Sequence, residues 1–158
     1  MEIAIKTDIP SLKAWAYFKI GYCYGKLKSH AKAIEAYKQA FRIDPNNAAA
    51  YYNLGIAYYE LGLYKDAIEA FKQAIRIDPE EAAAYYNLGV NYGQLGLHKD
   101  AIEAFKQAIR IDPDDANTHY NLGVAYILIG EKSSALDEYK ILKELDIDKA
   151  NKLFDFIY

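Results

Sequence analysis

Cysteine, methionine and tryptophan are scarce in this 158-residue sequence, with one residue of each. The lone thiol, Cys23, cannot form a disulfide within the chain, and no group of Cys and His residues has the spacing of a metal site. The sequence therefore predicts no metal, no cofactor and no redox chemistry. Because Cys23 takes the place of Ala57 and Ala125 in the repeats described below, we expect a buried, unreactive thiol.

The sequence also lacks an excess of basic charge. It has 19 Lys and Arg against 22 Asp and Glu, which gives a net charge of −3 and a pI near 5.6. Its cationic residues are scattered singly, so no positive patch is expected to attract phosphates. Nucleic acid is therefore not an expected partner.

Long apolar runs are missing as well. Met1–Pro10 carries charges at Glu2, Lys6 and Asp8 and does not resemble a signal peptide, and no later stretch is long and apolar enough to cross a membrane. The sequence thus predicts no membrane partner and a cytoplasmic location. An apolar content of 53% is sufficient for one compact domain of this length.

A repeated segment dominates what is present. Ala48–Glu81 and Ala82–Asp115 are nearly identical, and their offset of 34 residues is typical of helix–turn–helix arrays. Two further segments align more loosely in the same frame. We predict four tandem repeats, preceded by a lead-in over residues 1–13 and followed by a capping helix over residues 150–158; the repeats span 14–47, 48–81, 82–115 and 116–149.

Each repeat contains two apolar stripes with helical spacing. In the second repeat these run from Tyr51 to Leu61 and from Ala67 to Ile75, which predicts an all-α fold of antiparallel helix pairs. Gly55 lies inside the first helix, where glycine costs roughly 0.5–1 kcal/mol relative to alanine. We expect this cost to be offset by close contact with the small residue Ala67 on the second helix.

The residues after the last repeat suggest how the array closes. Leu153, Phe154 and Ile157 share one helical face and are expected to cover the fourth repeat, as solenoid ends require. Phe156 and Tyr158 lie off that stripe and leave open either a cut edge of a longer array or contact with a second copy. A homo-oligomer formed through this helix therefore remains a possible arrangement.

The four repeats resemble those of the tetratricopeptide-repeat (TPR) family. The residue pattern of that family is, in order, an aromatic, Leu-Gly, Tyr, Ala, a second aromatic, Ala and Pro. The fourth repeat departs from it at His119, Leu142 and Ile147; the second follows it at Tyr51, Leu54, Gly55, Tyr58, Ala67, Phe71, Ala74 and Pro79. The resemblance implies a right-handed α-solenoid, the TPR superhelix. It also implies a concave groove that is lined by the first helices and binds a peptide or a partner helix.

Family geometry predicts which residues line that groove. Asparagine amides can pair with a peptide backbone, and tyrosines add apolar area with a polar tip. Alternatively, the asparagines recur only through duplication, and each is bonded to a neighbouring helix or left in water. The predicted groove residues are Phe18, Lys19, Tyr22, Tyr52, Asn53, Ile56, Tyr86, Asn87, Val90, Tyr120, Asn121 and Val124.

Other possible sites are weaker. Some relatives hold a peptide carboxylate with a Lys, Asn and Arg clamp; here only Asn53 matches it, so acidic chaperone tails are not expected ligands. His30 and His98 recur in the turn between helices and should face solvent, whereas His119 should replace a packing aromatic. No phosphate loop, nucleophile elbow or acid/base pair points to an enzyme.

Four interpretations follow from the sequence. The first is a non-catalytic scaffold for protein–protein interaction. The alternatives are a self-associating structural unit, the TPR region of a larger enzyme or regulator, and an engineered repeat scaffold.

Overall fold

The computed structural model describes residues 9–158 and divides the chain into two compact units, Met1–Ile77 and Asp78–Tyr158. Nine α-helices and no strand occur among the described residues, which confirms the predicted all-α fold. Residues 1–8, most of the predicted lead-in, lie outside the described residues. The rest of the lead-in forms the first turns of α1.

The first unit consists of two helix pairs. Helix α1 (Ile9–Lys26) packs on α2 (His30–Phe41), α3 (Ala48–Glu60) packs on α4 (Tyr64–Ile77), and α2 also contacts α3. The contact between consecutive pairs includes the stacked rings of Phe41 and Tyr51, whose centroids are 4.1 Å apart. The buried core of this unit includes Ala33, Ile34, Tyr37, Ala50, Leu54, Ala57 and Ala70.

The second unit repeats the arrangement and adds a helix. Its helices are α5 (Ala82–Gln94), α6 (His98–Ile111), α7 (Ala116–Leu128), α8 (Lys132–Leu145) and α9 (Ile147–Ile157). Helices α5 and α6 form one pair, α7 and α8 the next, and α9 packs against both α7 and α8. The core of this unit includes Ile102, Phe105, Leu122, Ala135, Leu142 and Leu153.

Short polar side chains set several helix starts. Asn47 Oδ1 accepts a hydrogen bond from the backbone N–H of Ala50 at 2.9 Å, and Asp115 caps α7 in the same way. Burial tends to raise the pKa of Asp115, but hydrogen bonds from Thr118 and Asn117 outweigh it and lower the pKa below its usual value. Glu81 holds the same place at α5 but makes no side-chain cap, since short side chains suit the N-cap best.

In the first three repeats, the glycine inside the first helix lies closest to an aromatic ring of the second helix and not to the expected small residue. A Cβ atom on Gly55 would lie 2.7 Å from Cε1 and Cζ of Phe71, a distance that real Cβ atoms do not tolerate. Gly21 and Gly89 lie equally close to Tyr37 and Phe105. The glycine therefore makes room for the large residue of its own second helix.

In the fourth repeat, a residue from outside the repeat packs on the glycine of the first helix. Its glycine, Gly123, lies beneath Leu153 of α9, and a Cβ there would be 2.5 Å from Leu153 Cδ2. Tyr139, which occupies the place of Phe71 and Phe105 in the sequence, instead packs on Phe154 at a centroid distance of 5.4 Å. Helix α9 thus supplies the residue that α8 does not.

Leu153 and Ile157 of α9 are buried against the fourth repeat, as predicted. The prediction is wrong for Phe154, which is 40% exposed because it lies at the edge of the packing, against Tyr139. The helix also begins at Ile147, earlier than expected, since Asp146 Oδ1 accepts a hydrogen bond from Lys149 N at 3.0 Å and caps the helix there.

Cys23 is exposed, contrary to the expectation of a buried thiol. The equivalent residue Ala57 is buried on α3, which has α1 and α2 before it, whereas no described helix precedes α1. His119, in contrast, is buried at 3% exposure in the place of a packing aromatic, as predicted.

Candidate functional site

All twelve predicted groove residues lie on first helices of the helix pairs and remain at least partly accessible. Lys19 and Tyr22 are exposed, and the other ten are half-buried. On α3, α5 and α7 the residues between them, such as Leu54 and Leu88, are buried in the packing, whereas Ile20 of α1 is exposed. Each unit thus presents a surface of aromatic, amide and aliphatic side chains, which we call the inner face of that unit.

Two tyrosines of the inner faces, Tyr52 and Tyr86, contact aromatic residues of the second helices. The ring of Tyr52 lies 5.8 Å from Phe71 and that of Tyr86 lies 6.0 Å from Phe105, measured between centroids. Both are edge or tilted arrangements, which aromatic pairs prefer over face-to-face stacking. These contacts leave each tyrosine half-buried.

The asparagines bond to the protein in two ways. Asn53 Nδ2 donates to the carbonyl of Ala49 at 2.7 Å, and Asn87 Nδ2 donates to that of Ala83 at 2.8 Å, each within its own helix. Asn121 Nδ2 instead donates to the hydroxyl of Tyr86 at 3.1 Å, which joins α7 to α5. Of the three, only Asn121 bonds to a neighbouring helix, as the alternative from the sequence has it; Asn53 and Asn87 bond within their own helices.

The inner face of the second unit contains a cavity of about 200 Å³ between α5, α6 and α7. Ala101, Phe105 and Ala125 are buried residues of its lining, and its polar side chains are Gln94, His98 and Asn121. Val90, Val124 and Leu128 complete an apolar wall. Gln94 and His98 were not among the predicted groove residues.

The first unit has a cavity at the same repeat places. It measures about 140 Å³ and brings together three predicted residues, Tyr22, Asn53 and Ile56. Gly25, Lys26, His30, Tyr37 and Ala57 complete its lining. Burial, together with the neighbouring Tyr22 and Cys23, raises the pKa of Tyr37 to about 12, so its hydroxyl stays uncharged near neutral pH.

The two inner faces differ in charge. In the first unit Lys26 Nζ lies 5.2 Å from the ring centroid of Tyr22, and Lys19 Nζ lies 5.5 Å from that of Trp15. Such cation–π contacts hold the ammonium groups beside the aromatic surface. The equivalent residues of the third repeat are Asn87 and Gln94, so the cavity of the second unit has a neutral rim.

Within residues 9–158, no group of three His, Cys, Asp or Glu side chains is placed to hold a metal ion. None of the helices in that range combines the length and apolar character needed to span a membrane.

Sequence comparison identifies the family. The tetratricopeptide-repeat pattern matches residues 52–116 and 86–150, and a TPR pattern matches residues 26–62. The chain belongs to the tetratricopeptide-repeat family. No curated protein matches the sequence.

Solved structures show the same TPR fold. A crystal structure of MamA is 32% identical in sequence, with 90% of this chain and 83% of that chain covered and a TM-score of 0.84. YrrB, described as a TPR protein with an unusual peptide-binding site, is 22% identical, with 91% and 84% covered and a TM-score of 0.79. The first TPR of Spaghetti (RPAP3), bound to an HSP90 peptide, is 21% identical, with 75% and 94% covered and a TM-score of 0.73.

Proposed function

We propose that the chain is a non-catalytic interaction module that binds an extended peptide segment of a partner protein on its inner faces. The observation that carries this proposal is the hydrogen bond from Asn121 to the Tyr86 hydroxyl. It joins consecutive first helices of the second unit across a surface that stays half-exposed. A peptide laid across α5 and α7 would meet both side chains.

The chemistry of the inner face suits an extended backbone. One N–H of the Asn53 carboxamide donates to Ala49, and the carboxamide oxygen would accept a hydrogen bond from a peptide N–H. The tyrosines beside the asparagines add rigid apolar area, since a tyrosine has few rotatable bonds to immobilise on binding. Hydrogen bonds of this kind are made to the peptide main chain, which does not depend on the peptide sequence. Specificity would therefore come from the cavities that bind peptide side chains.

The peptide-binding descriptions of YrrB and the Spaghetti TPR support a peptide ligand in general terms. They do not extend to the same peptide, because this chain matches only Asn53 of the carboxylate clamp. The third repeat has Ala83 and Asn87 where that clamp requires Lys and Arg. We therefore propose a ligand that is recognised within its length and not by terminal carboxylates.

The test is a selection of displayed random peptides on the native protein, followed by affinity measurement with an inner-face variant. Asn121→Ala should weaken selected second-unit ligands by about tenfold, since it removes both a possible ligand bond and the support of Tyr86. Glu144→Ala, an exposed change on α8, is the matched control and should leave the affinity unchanged. Equal affinities for all three proteins, or no selected peptide at all, would contradict the proposal.

Self-association is a second candidate, because Phe156 of α9 is 60% exposed and Tyr158, which follows the helix, is 81% exposed. Burial of these rings against a second copy would remove their apolar area from water. Sedimentation velocity over a range of concentrations, with Phe156→Ser as the comparison, tests it. A native protein that stays monomeric at every concentration rules this candidate out.

A further inference from the structure

One repeat place on the inner face alternates between glycine and a large apolar residue. Gly25 and Gly93 stand where the second and fourth repeats have Tyr59 and Ile127. A Cβ atom built on either glycine would have no heavy atom within 4 Å, so neither glycine is required by close packing. Two of the four repeats have therefore replaced a large apolar side chain with open space.

The second repeat shows what occupies that space when a side chain is present. The ring of Tyr59 packs against the ring of Tyr64, the first residue of α4, with centroids 5.9 Å apart and planes at 52°. In the third repeat His98 stands at the place of Tyr64, as the first residue of α6. One ring of the pair is thus retained, as an imidazole, and the other is missing.

The missing ring leaves the cavity of about 200 Å³ in the second unit, in which Gly93 and His98 both take part. This volume is below the roughly 300–1,000 Å³ of pockets for drug-sized ligands and corresponds to a single side chain. Phe105, Val90 and Val124 supply apolar walls, and Gln94 supplies a neutral rim. No Asp, Glu, Lys or Arg side chain is among the described residues that line it, so nothing there would neutralise a charged occupant.

We propose that this cavity, which we name the aromatic socket, binds one aromatic side chain, Phe or Tyr, of the bound peptide. The ligand ring packs against His98 as Tyr59 packs against Tyr64. This proposal rests on the proposed peptide-binding function and adds the residue class that the second unit selects. Gly93 creates the socket, and Asn121 at its edge is placed to bind the peptide backbone next to the aromatic residue.

The cavity of the first unit is an internal comparison. It shares the glycine and histidine, as Gly25 and His30, but it is smaller because Tyr22 stands where the socket has Val90. Lys26 also lines it in place of Gln94. We expect it to bind an aromatic side chain more weakly than the aromatic socket does.

The direct test uses N-acetyl-phenylalanine amide as the probe and nitrogen–proton NMR spectra of the full chain as the readout. Saturable shifts are expected at the amides of Gly93, His98 and Asn121. Gly93→Tyr refills the socket with the residue that the second repeat has at this place, so the affinity of the second unit should fall by about tenfold or more. Gly25→Tyr makes the same change in the first unit and should leave the second-unit shifts intact.

Two further measurements secure the result. N-acetyl-leucine amide should bind about tenfold more weakly than the phenylalanine probe, because it lacks a ring to pack on His98. His98→Ala removes that ring without filling the cavity and should weaken the phenylalanine probe while leaving the weaker leucine probe nearly unaffected. Equal binding of the two probes, second-unit shifts that persist in Gly93→Tyr, or no saturable shift at these amides would overturn the socket.

Peptide selection separates failure of the socket from failure of the module. Native protein should enrich peptides with Phe or Tyr, and the Gly93→Tyr variant should lose that enrichment. Selected peptides that bind without an aromatic preference would overturn the socket and keep the interaction module. Failure to select any peptide, with the phenylalanine probe still bound at Gly93, would overturn the module, and the cavity would then be a site for free aromatic molecules only.

Discussion

The imidazole Nδ1 of His119 lies 2.6 Å from Oε2 of Glu138, and its Nε2 lies 2.9 Å from the carbonyl oxygen of Pro113. Both ring nitrogens face acceptors, so only the doubly protonated imidazolium can donate to both. The hydrogen bond to Glu138 raises the pKa of His119 above its usual value; burial opposes this, and the Pro113 carbonyl and the negative charges of Glu138 and Asp115 add to it.

Stability should therefore depend on pH through His119. Because the folded-state pKa is raised, the stabilisation is fully present below the unfolded-state pKa of about 6.5 and is lost as the pH rises through the folded-state pKa. The free energy of unfolding should fall by at most about 1.4 kcal/mol per pH unit in that window, since one proton is released. Urea denaturation from about pH 6 to about pH 9 measures it.

A double variant supplies the control. The other repeats have tyrosine and alanine in the places of His119 and Glu138, as in Tyr85 and Ala104. His119→Tyr combined with Glu138→Ala restores that pair and should remove this pH dependence without leaving a buried carboxylate unpaired. A double variant that keeps the native pH profile would show that other groups cause it.

Replacement of Asn91 should stabilise the second unit. Its side chain is fully buried, and Oδ1 has no hydrogen-bond partner among the described residues, whereas Nδ2 donates to the carbonyl of Asn87. Asn91→Ala installs the residue found at Ala57 and Ala125 and should raise the free energy of unfolding by about 1 kcal/mol, because an unsatisfied buried oxygen is removed. Ala57→Asn should lower it, and chemical denaturation of both variants checks the opposite signs.

The same substitution should act oppositely at two glycines. Gly55→Ala places a methyl group against the Phe71 ring and should cost about 1–3 kcal/mol through overpacking. Gly93→Ala enters open space inside a helix and should gain about 0.5–1 kcal/mol through reduced backbone entropy in the unfolded chain. Guanidinium denaturation of the two variants measures both changes in the free energy of unfolding. Similar effects at Gly55 and Gly93 would contradict the packing described above.

Helix α9 should contribute to the stability of the second unit through one residue above all. Leu153 is fully buried over Gly123, so Leu153→Ala should cost about 2–5 kcal/mol. Phe156→Ala, on the same helix but 60% exposed, should change stability by less than about 0.5 kcal/mol. Comparable losses in the two variants, measured by thermal unfolding, would show that α9 acts through helix formation alone and not through this contact.

The repeat frame made the fold predictable. Helix pairs are predicted by three features of the sequence: apolar stripes in register, prolines after the second helices, and small polar residues before α3 and α7. The local signals for helix ends therefore agree with the 34-residue repeat. The helix α9 was predictable for the same reason. Its contact with Gly123 was not, because Tyr139 has the correct aromatic type in sequence and only the packing shows that it turns to Phe154.

The inner face was less predictable than the helices that form it. Family geometry placed Tyr86 and Asn121 on an accessible surface, but their hydrogen bond depends on how α5 and α7 pack. The sequence did contain a signal for the aromatic socket, the paired replacement of Tyr59 and Tyr64 by Gly93 and His98. That signal was missed because His98 was interpreted alone, without Gly93 near the end of the preceding helix α5.

The source of the residue above each internal glycine bears on how such an array can grow. In the first three repeats that residue belongs to the same 34-residue segment, as with Gly89 and Phe105. A duplicated segment therefore contains the side chain that packs on its own glycine. Residues 116–149 do not, because Gly123 depends on Leu153 from outside them. Tandem duplication can therefore multiply the inner repeats freely, as the near-identical second and third repeats illustrate, whereas the fourth repeat can be copied intact only together with α9.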